Sequence, residues 1–135
     1  MIKLTHRSVH VSREYRVPCQ RLWEVITDAS RWPEWGPSVT AVECPDRMIR
    51  KGSRGRVKTA LGIWVGFAIT DYEEGRSWSW NVLGVPATGH RVEPAGEGSC
   101  RLVFEVPLLA AAYAVVCKAA LDRIARILES KGTPQ

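Results

Sequence analysis

The chain has 135 residues, 45% hydrophobic and 24% charged, with a formal net charge of +5. These values are ordinary for a soluble globular protein and support one domain over 1–135 that buries its own core, with 1–7 and 132–135 as flexible ends. So mild a charge selects no anionic partner. The N-terminal stretch MIKLTHRSVHVSREY holds no apolar run of signal-peptide length, so neither secretion nor membrane insertion is expected.

The cysteines, Cys19, Cys44, Cys100 and Cys117, are widely spaced and form no CxxC pair. Zinc ligation and a redox motif are therefore not expected. The expectation is reduced, mostly buried thiols in a cytoplasmic protein, with no metal and no cofactor.

Residues 9–17 alternate, with Val9, Val11, Tyr15 and Val17 on one side and His10, Ser12, Glu14 and Arg16 on the other. That pattern predicts a half-buried strand. Pro18 suits a first helical turn, and Leu22, Val25, Ile26 and Ala29 give a short apolar stripe, so 18–29 is predicted as a helix. In RWPEWGP, residues 31–37, two prolines and a glycine prevent a long element while Trp32 and Trp35 demand burial. A short helical turn or loop that tucks at least one ring inward is expected there.

From residue 39 to 106 the pattern is strand after strand. Segments 39–44, 52–60, 63–72, 76–85, 88–93 and 99–106 are separated by turn residues such as Leu61-Gly62 and Glu73-Glu74-Gly75. Short strands on short turns make an antiparallel meander. Residues 108–131 then predict a long helix. Leu109, Tyr113, Val116, Ala120, Ile124 and Ile127 fall on one face, and Cys117, Leu121 and Leu128 widen it. No charge occurs from 106 to 117, so this stretch must be covered by protein, line a cavity or face a partner. It is too short to span a bilayer.

The residues PCQRLWEVITDASRWPEWGPSV, the meander, the segment GHRVEPAGEGSCRLVFEV and the terminal helix together resemble the START-like, Bet v 1-like superfamily. Within it the chain is similar to the polyketide cyclase/dehydrase and lipid-transport branch, SRPBCC. The most characteristic part is the Pro18 helix ending in Thr27-Asp28, followed by Trp32-Pro33-x-Trp35-x-Pro37. The resemblance implies an α+β helix-grip fold. Its curved antiparallel sheet of about six or seven strands wraps around a long C-terminal helix, with two short helices after the first strand. It also implies a hydrophobic cavity between sheet and last helix. Relatives of this kind include lipid carriers, hormone receptors, aromatic polyketide cyclases and chaperone-binding modules. No cyclase's catalytic set maps onto this chain.

No hydrolase, phosphate-loop or metallopeptidase motif is present. Any chemistry rests on isolated polar groups. His90 is in phase with Thr88 and Val92, which points it inward as either an acid/base or a histidine satisfied by a backbone carbonyl. Asp71 is in phase with Ile63 to Ile69 and could pair with His90, or could be a solvated carboxylate at a strand end. Tyr113 could orient a ligand carbonyl or serve as a core tyrosine.

The expected cavity wall is Trp35, Phe67, Trp80, Val82, His90, Phe104, Leu109, Tyr113 and Val116. The expected ligand is a small hydrophobic molecule: a lipid, an isoprenoid or an aromatic polyketide-like compound. A cyclase or dehydratase using His90, Tyr113 and Asp71, and an interaction module with an open groove, are the alternatives. The basic run Arg47, Arg50, Lys51, Arg54, Arg56 and Lys58 lacks interleaved aromatics, so it reads as a solvated hairpin and not as a nucleic-acid site. Both faces of 63–72 carry apolar residues, a feature a homodimer surface on the convex side would explain.

Overall fold

A computed structural model describes the backbone of residues 2–4, 8–107 and 114–131, and the side chains of 8–107 and 117–129. All pairings in its one sheet are antiparallel, in the order β1-β2-β8-β7-β6-β5-β4-β3. The strands are β1 (Ile2–Leu4), β2 (Ser8–Tyr15), β3 (Val39–Glu43), β4 (Arg54–Thr59), β5 (Trp64–Glu73), β6 (Ser77–Val82), β7 (Val85–Pro94) and β8 (Cys100–Pro107). The helices are α1 (Cys19–Thr27), α2 (Trp32–Trp35) and α3 (Ala114–Lys131), with a 3-10 turn at Ala29–Arg31. This is the helix-grip fold, an open curved sheet with its helices on one face. The strand count is eight because Ile2–Leu4 pairs with β2 at the edge, inside the stretch expected to be a loose end.

Cross-strand register decides which side chains meet. Tyr72, Trp78, His90, Phe104 and Val11 stand opposite one another across β5, β6, β7, β8 and β2, and their row faces the helices. The neighbouring row, Asp71, Ser79, Gly89, Glu105 and His10, faces away. On that outer face Arg101 bridges Glu14 and Glu93, and Arg91 bridges Glu93 and Glu105. These pairs are half-exposed, so each adds little stability.

Helix α1 starts directly after Pro18 and buries Leu22, Trp23, Val25 and Ile26. It is clamped at several points. Trp23 Nε1 donates to Glu74 at 2.8 Å, Tyr72 donates to the same carboxylate at 2.6 Å, and Arg21 donates to the Leu128 carbonyl of α3 at 2.9 Å. Asp28, 3% exposed, accepts from the Ser30 amide and hydroxyl and from Arg47. Burial alone would raise its pKa. The bonds from Ser30 and Arg47 and the guanidinium charge outweigh that and hold the carboxyl below its ordinary range.

Helix α3 packs on β2, β8 and α2. Its buried face is Cys117, Ala120, Leu121, Ile124, Ala125 and Leu128, while Ile127 is only partly buried. The apolar stripe is therefore rotated toward Cys117 and Leu121 relative to the predicted line through Val116 and Ile127. The Tyr15 hydroxyl donates to the Leu121 carbonyl at 2.6 Å and locks this rotation.

The expectation of four reduced thiols is corrected. Cys19 and Cys100 form a disulfide across 81 residues of sequence, with Cα atoms 5.0 Å apart. The cause is register: Tyr15 stands opposite Cys100, and the chain leaving β2 reaches Cys19 as α1 begins. Spacing along the chain carries no trace of this pairing. The bond removes the thiol argument for a cytoplasmic location. Cys44 and Cys117 remain free. No helix among the described residues is long and apolar enough to cross a membrane.

Candidate functional site

Aromatic rings cluster on the inner face of the sheet beside α2. Trp32 is brought in by the 3-10 turn and α2, and its Nε1 donates to the Ile26 carbonyl at 3.0 Å. Its ring stacks on Trp78 at 5.5 Å, and Trp78 stacks in turn on His90 at 3.7 Å. Phe67 and Trp80 meet Trp32 edge-on at 5.2 and 5.3 Å. Trp35 stacks on Phe104 at 6.0 Å, and Phe104 stands edge-on to His90 at 5.2 Å. Each favourable pair contributes roughly 0.5–1.5 kcal/mol beyond the area it buries, so the cluster is a rigid floor.

Among the described residues the space beneath the last helix is small. The space among Trp35, Trp78, Trp80, His90, Phe104 and Cys117 is a cavity of about 40 Å³. A few waters would fill it. The larger apolar recess, about 420 Å³, lies toward the other end of the sheet, between Val57 and Val65 on one side and Val82, Pro86 and Val106 on the other. None of its described lining comes from α3. The two spaces share Ser38, Val39, Trp80 and Thr88, so they adjoin. At 420 Å³ the recess is within the range of small-molecule sites. Its lining includes Leu61 and Val85, exposed by 86% and 61%.

His90 is buried, and its Nδ1 lies 3.2 Å from the Trp78 carbonyl oxygen. An Nδ1–H donated to that carbonyl leaves Nε2 with the lone pair of a neutral imidazole. Burial depresses its pKa from 6.5 to about 3, against a smaller opposing effect of the carbonyl bond. So low a value makes it a poor proton shuttle near neutrality. Burial also pushes the Cys117 thiol up to about 12, which leaves it unreactive.

The expected residues are placed as follows. Trp35, Trp80, His90 and Phe104 line the inner cavity, and Val82 and Trp80 line the recess. Phe67 is buried against Trp32 and Trp80 and supports the floor. Asp71 is a correction: it is exposed, on the outer face, away from His90. A β-bulge between Ile69 and Asp71 breaks the alternation that put it in phase with Ile63 to Ile69, and Tyr72 faces inward in its place. Leu109 and Tyr113 lie outside the described residues, as does the side chain of Val116.

Trp32, Trp78 and Thr88 belong to the inner cavity beyond that set. Phase with Trp80 and His90 could have found the last two. Only the tertiary fold could place Trp32. Three indole N–H groups, those of Trp35, Trp78 and Trp80, are buried with no hydrogen-bond acceptor among the described residues.

A family model described as polyketide cyclase / dehydrase and lipid transport matches residues 6–130. No curated protein matches the sequence significantly. Solved structures share the fold at low identity. One is XoxI from Bacillus cereus, with a TM-score of 0.74 at 10% identity over 96% of this chain and 100% of that one. Another is Ms6760 from Mycobacterium smegmatis, with 0.69 at 16% over 97% and 98%. A third is DR_A0006 from Deinococcus radiodurans, with 0.67 at 20% over 92% and 98%.

Proposed function

This chain belongs to the polyketide cyclase / dehydrase and lipid transport family, and from that premise we propose that it binds a small hydrophobic molecule, held mainly in the recess between β4–β5 and β6–β7. The observation that carries the reading is the 420 Å³ recess with valine, proline, alanine and tryptophan walls, joined to an aromatic floor. Binding comes from removing apolar ligand surface from water. At about 25 cal/mol per Å², a ligand that hides roughly 200 Å² gains about 5 kcal/mol before the cost of association. The rigid tryptophan cluster holds the floor in shape, so little of that gain is spent on ordering side chains.

The test is native mass spectrometry of the purified protein, followed by a panel of fatty acids, isoprenoids and aromatic polyketides read by thermal shift. A co-purifying apolar species, or a rise in melting temperature with one class, is the expected result. No bound species and no shift with any class overturns the reading.

A further inference from the structure

The residues that line the inner cavity carry buried donors with no acceptor among the described residues. Trp35 and Trp78 are 6% and 1% exposed, Trp80 is partly buried, and all three line the cavity. None of their indole N–H groups has an acceptor among the described residues. A buried donor left unpaired costs about 1–3 kcal/mol, so three on the residues around one cavity are unusual. The other indoles there and beside it behave differently: Trp32 donates to the Ile26 carbonyl and Trp23 to Glu74. The described cavity lining includes no Lys or Arg. His90 is held neutral in a stack with Trp78. An anionic group would therefore be desolvated there without a countercharge. A neutral oxygen acceptor would meet the indole donors, beside the lone pair of the neutral His90 ring and the Thr88 hydroxyl.

We propose that the three unpaired indole donors select a neutral, carbonyl-bearing ligand that enters with its carbonyl end first. The oxygen lies in the inner cavity against the Trp35, Trp78 and Trp80 N–H groups. The apolar body fills the adjoining recess, past Ser38, Val39, Trp80 and Thr88. The size difference between the two spaces, about 40 and 420 Å³, suits one small polar end and one larger apolar body. The inference rests on the recess being a ligand site, and adds which ligands it prefers and what orients them.

The probes are 1-tetralone and tetralin, one bicyclic skeleton with and without a carbonyl, titrated into the full chain labelled with 15N-tryptophan. Desolvation alone favours tetralin, the more apolar of the two. Unpaired donors favour 1-tetralone by about fivefold or more, the worth of one ordinary hydrogen bond. The Nε1–H signals of Trp35, Trp78 and Trp80 should move with the ketone and stay nearly still with the hydrocarbon. Trp80→Phe and Trp35→Phe keep a ring, remove a donor, and should weaken 1-tetralone several-fold more than they weaken tetralin.

Equal or tighter binding of tetralin overturns the inference and leaves the recess a hydrophobic site. Ketone binding that leaves the three indole signals still overturns it as well. If neither probe binds a protein that the lipid and polyketide panel has shown to be occupied, the inference fails by itself. A silent panel removes the reading beneath it.

Discussion

The His90 ring lies face to face with Trp78 at 3.7 Å and also bonds that residue's backbone carbonyl at 3.2 Å. One neighbour thus fixes both the plane of the imidazole and its tautomer. In the folded state the ring resists protonation until about pH 3, against 6.5 in the open chain. Between those values the unfolded chain binds a proton that the native protein refuses. Stability from this group is therefore complete above pH 6.5 and falls as the pH is lowered toward 3. Each pH unit in that window removes at most about 1.4 kcal/mol. Urea unfolding at pH 7 and pH 5 should show a clear loss in the wild type and a much smaller one in His90→Gln. Parallel losses in both proteins would mean that His90 is not the group responsible.

The Cys19–Cys100 bond predicts a thiol count. Protein unfolded without reductant should react with two equivalents of iodoacetamide, at Cys44 and Cys117, and with four after reduction. Reduction, or a Cys19→Ala/Cys100→Ala double variant, should lower stability by about 2–4 kcal/mol, because the bond closes a long loop in the unfolded chain. Four reactive thiols before reduction would show that the pair is not bonded.

Gly55 faces Phe67 from the neighbouring strand. A Cβ there would collide with the Glu43 carbonyl oxygen and come within 3.0 Å of the Phe67 ring. Gly55→Ala should therefore cost about 1–3 kcal/mol, the usual effect of overpacking. Because Phe67 supports Trp32 and Trp80, the tryptophan fluorescence should change as well. A variant as stable as the wild type would show that β3 and β4 can separate without penalty.

Leu83 adopts a φ of 56° while 70% exposed, followed by Gly84 at 75°. Two positive φ values in a two-residue hairpin favour Asn-Gly, not Leu-Gly. Leu83→Asn should raise stability by about 1 kcal/mol by relieving the left-handed strain, seen as a melting point a few degrees higher. A lower melting point would mean that the Leu83 side chain makes a stabilising contact that Asn cannot replace.

Much of the fold was legible along the chain. The alternation in 9–17, the proline-started helix and the three-and-four spacing of the last helix each record a repeating geometry, and repeating geometry prints itself on sequence. His90, Trp80 and Phe104 were placed correctly on the inner face for this reason. The strand expected over 76–85, by contrast, ends at Val82 and turns at Leu83-Gly84 into a β7 that starts at Val85 and not at 88. Asp71 was misplaced because one extra residue in a strand reverses every later side chain, and nothing in ITDY marks that residue.

By itself, then, the sequence determined the order of the elements and most of their inward faces, since both depend on local backbone periodicity. Only the tertiary structure decided that Cys19 meets Cys100, that Trp32 stacks on Trp78 and nearly fills the inner space, and that the roomier recess opens toward the far end of the sheet. Those outcomes depend on strand register and on how large rings share a fixed volume. Both are relations between residues distant in the chain, which no local pattern encodes.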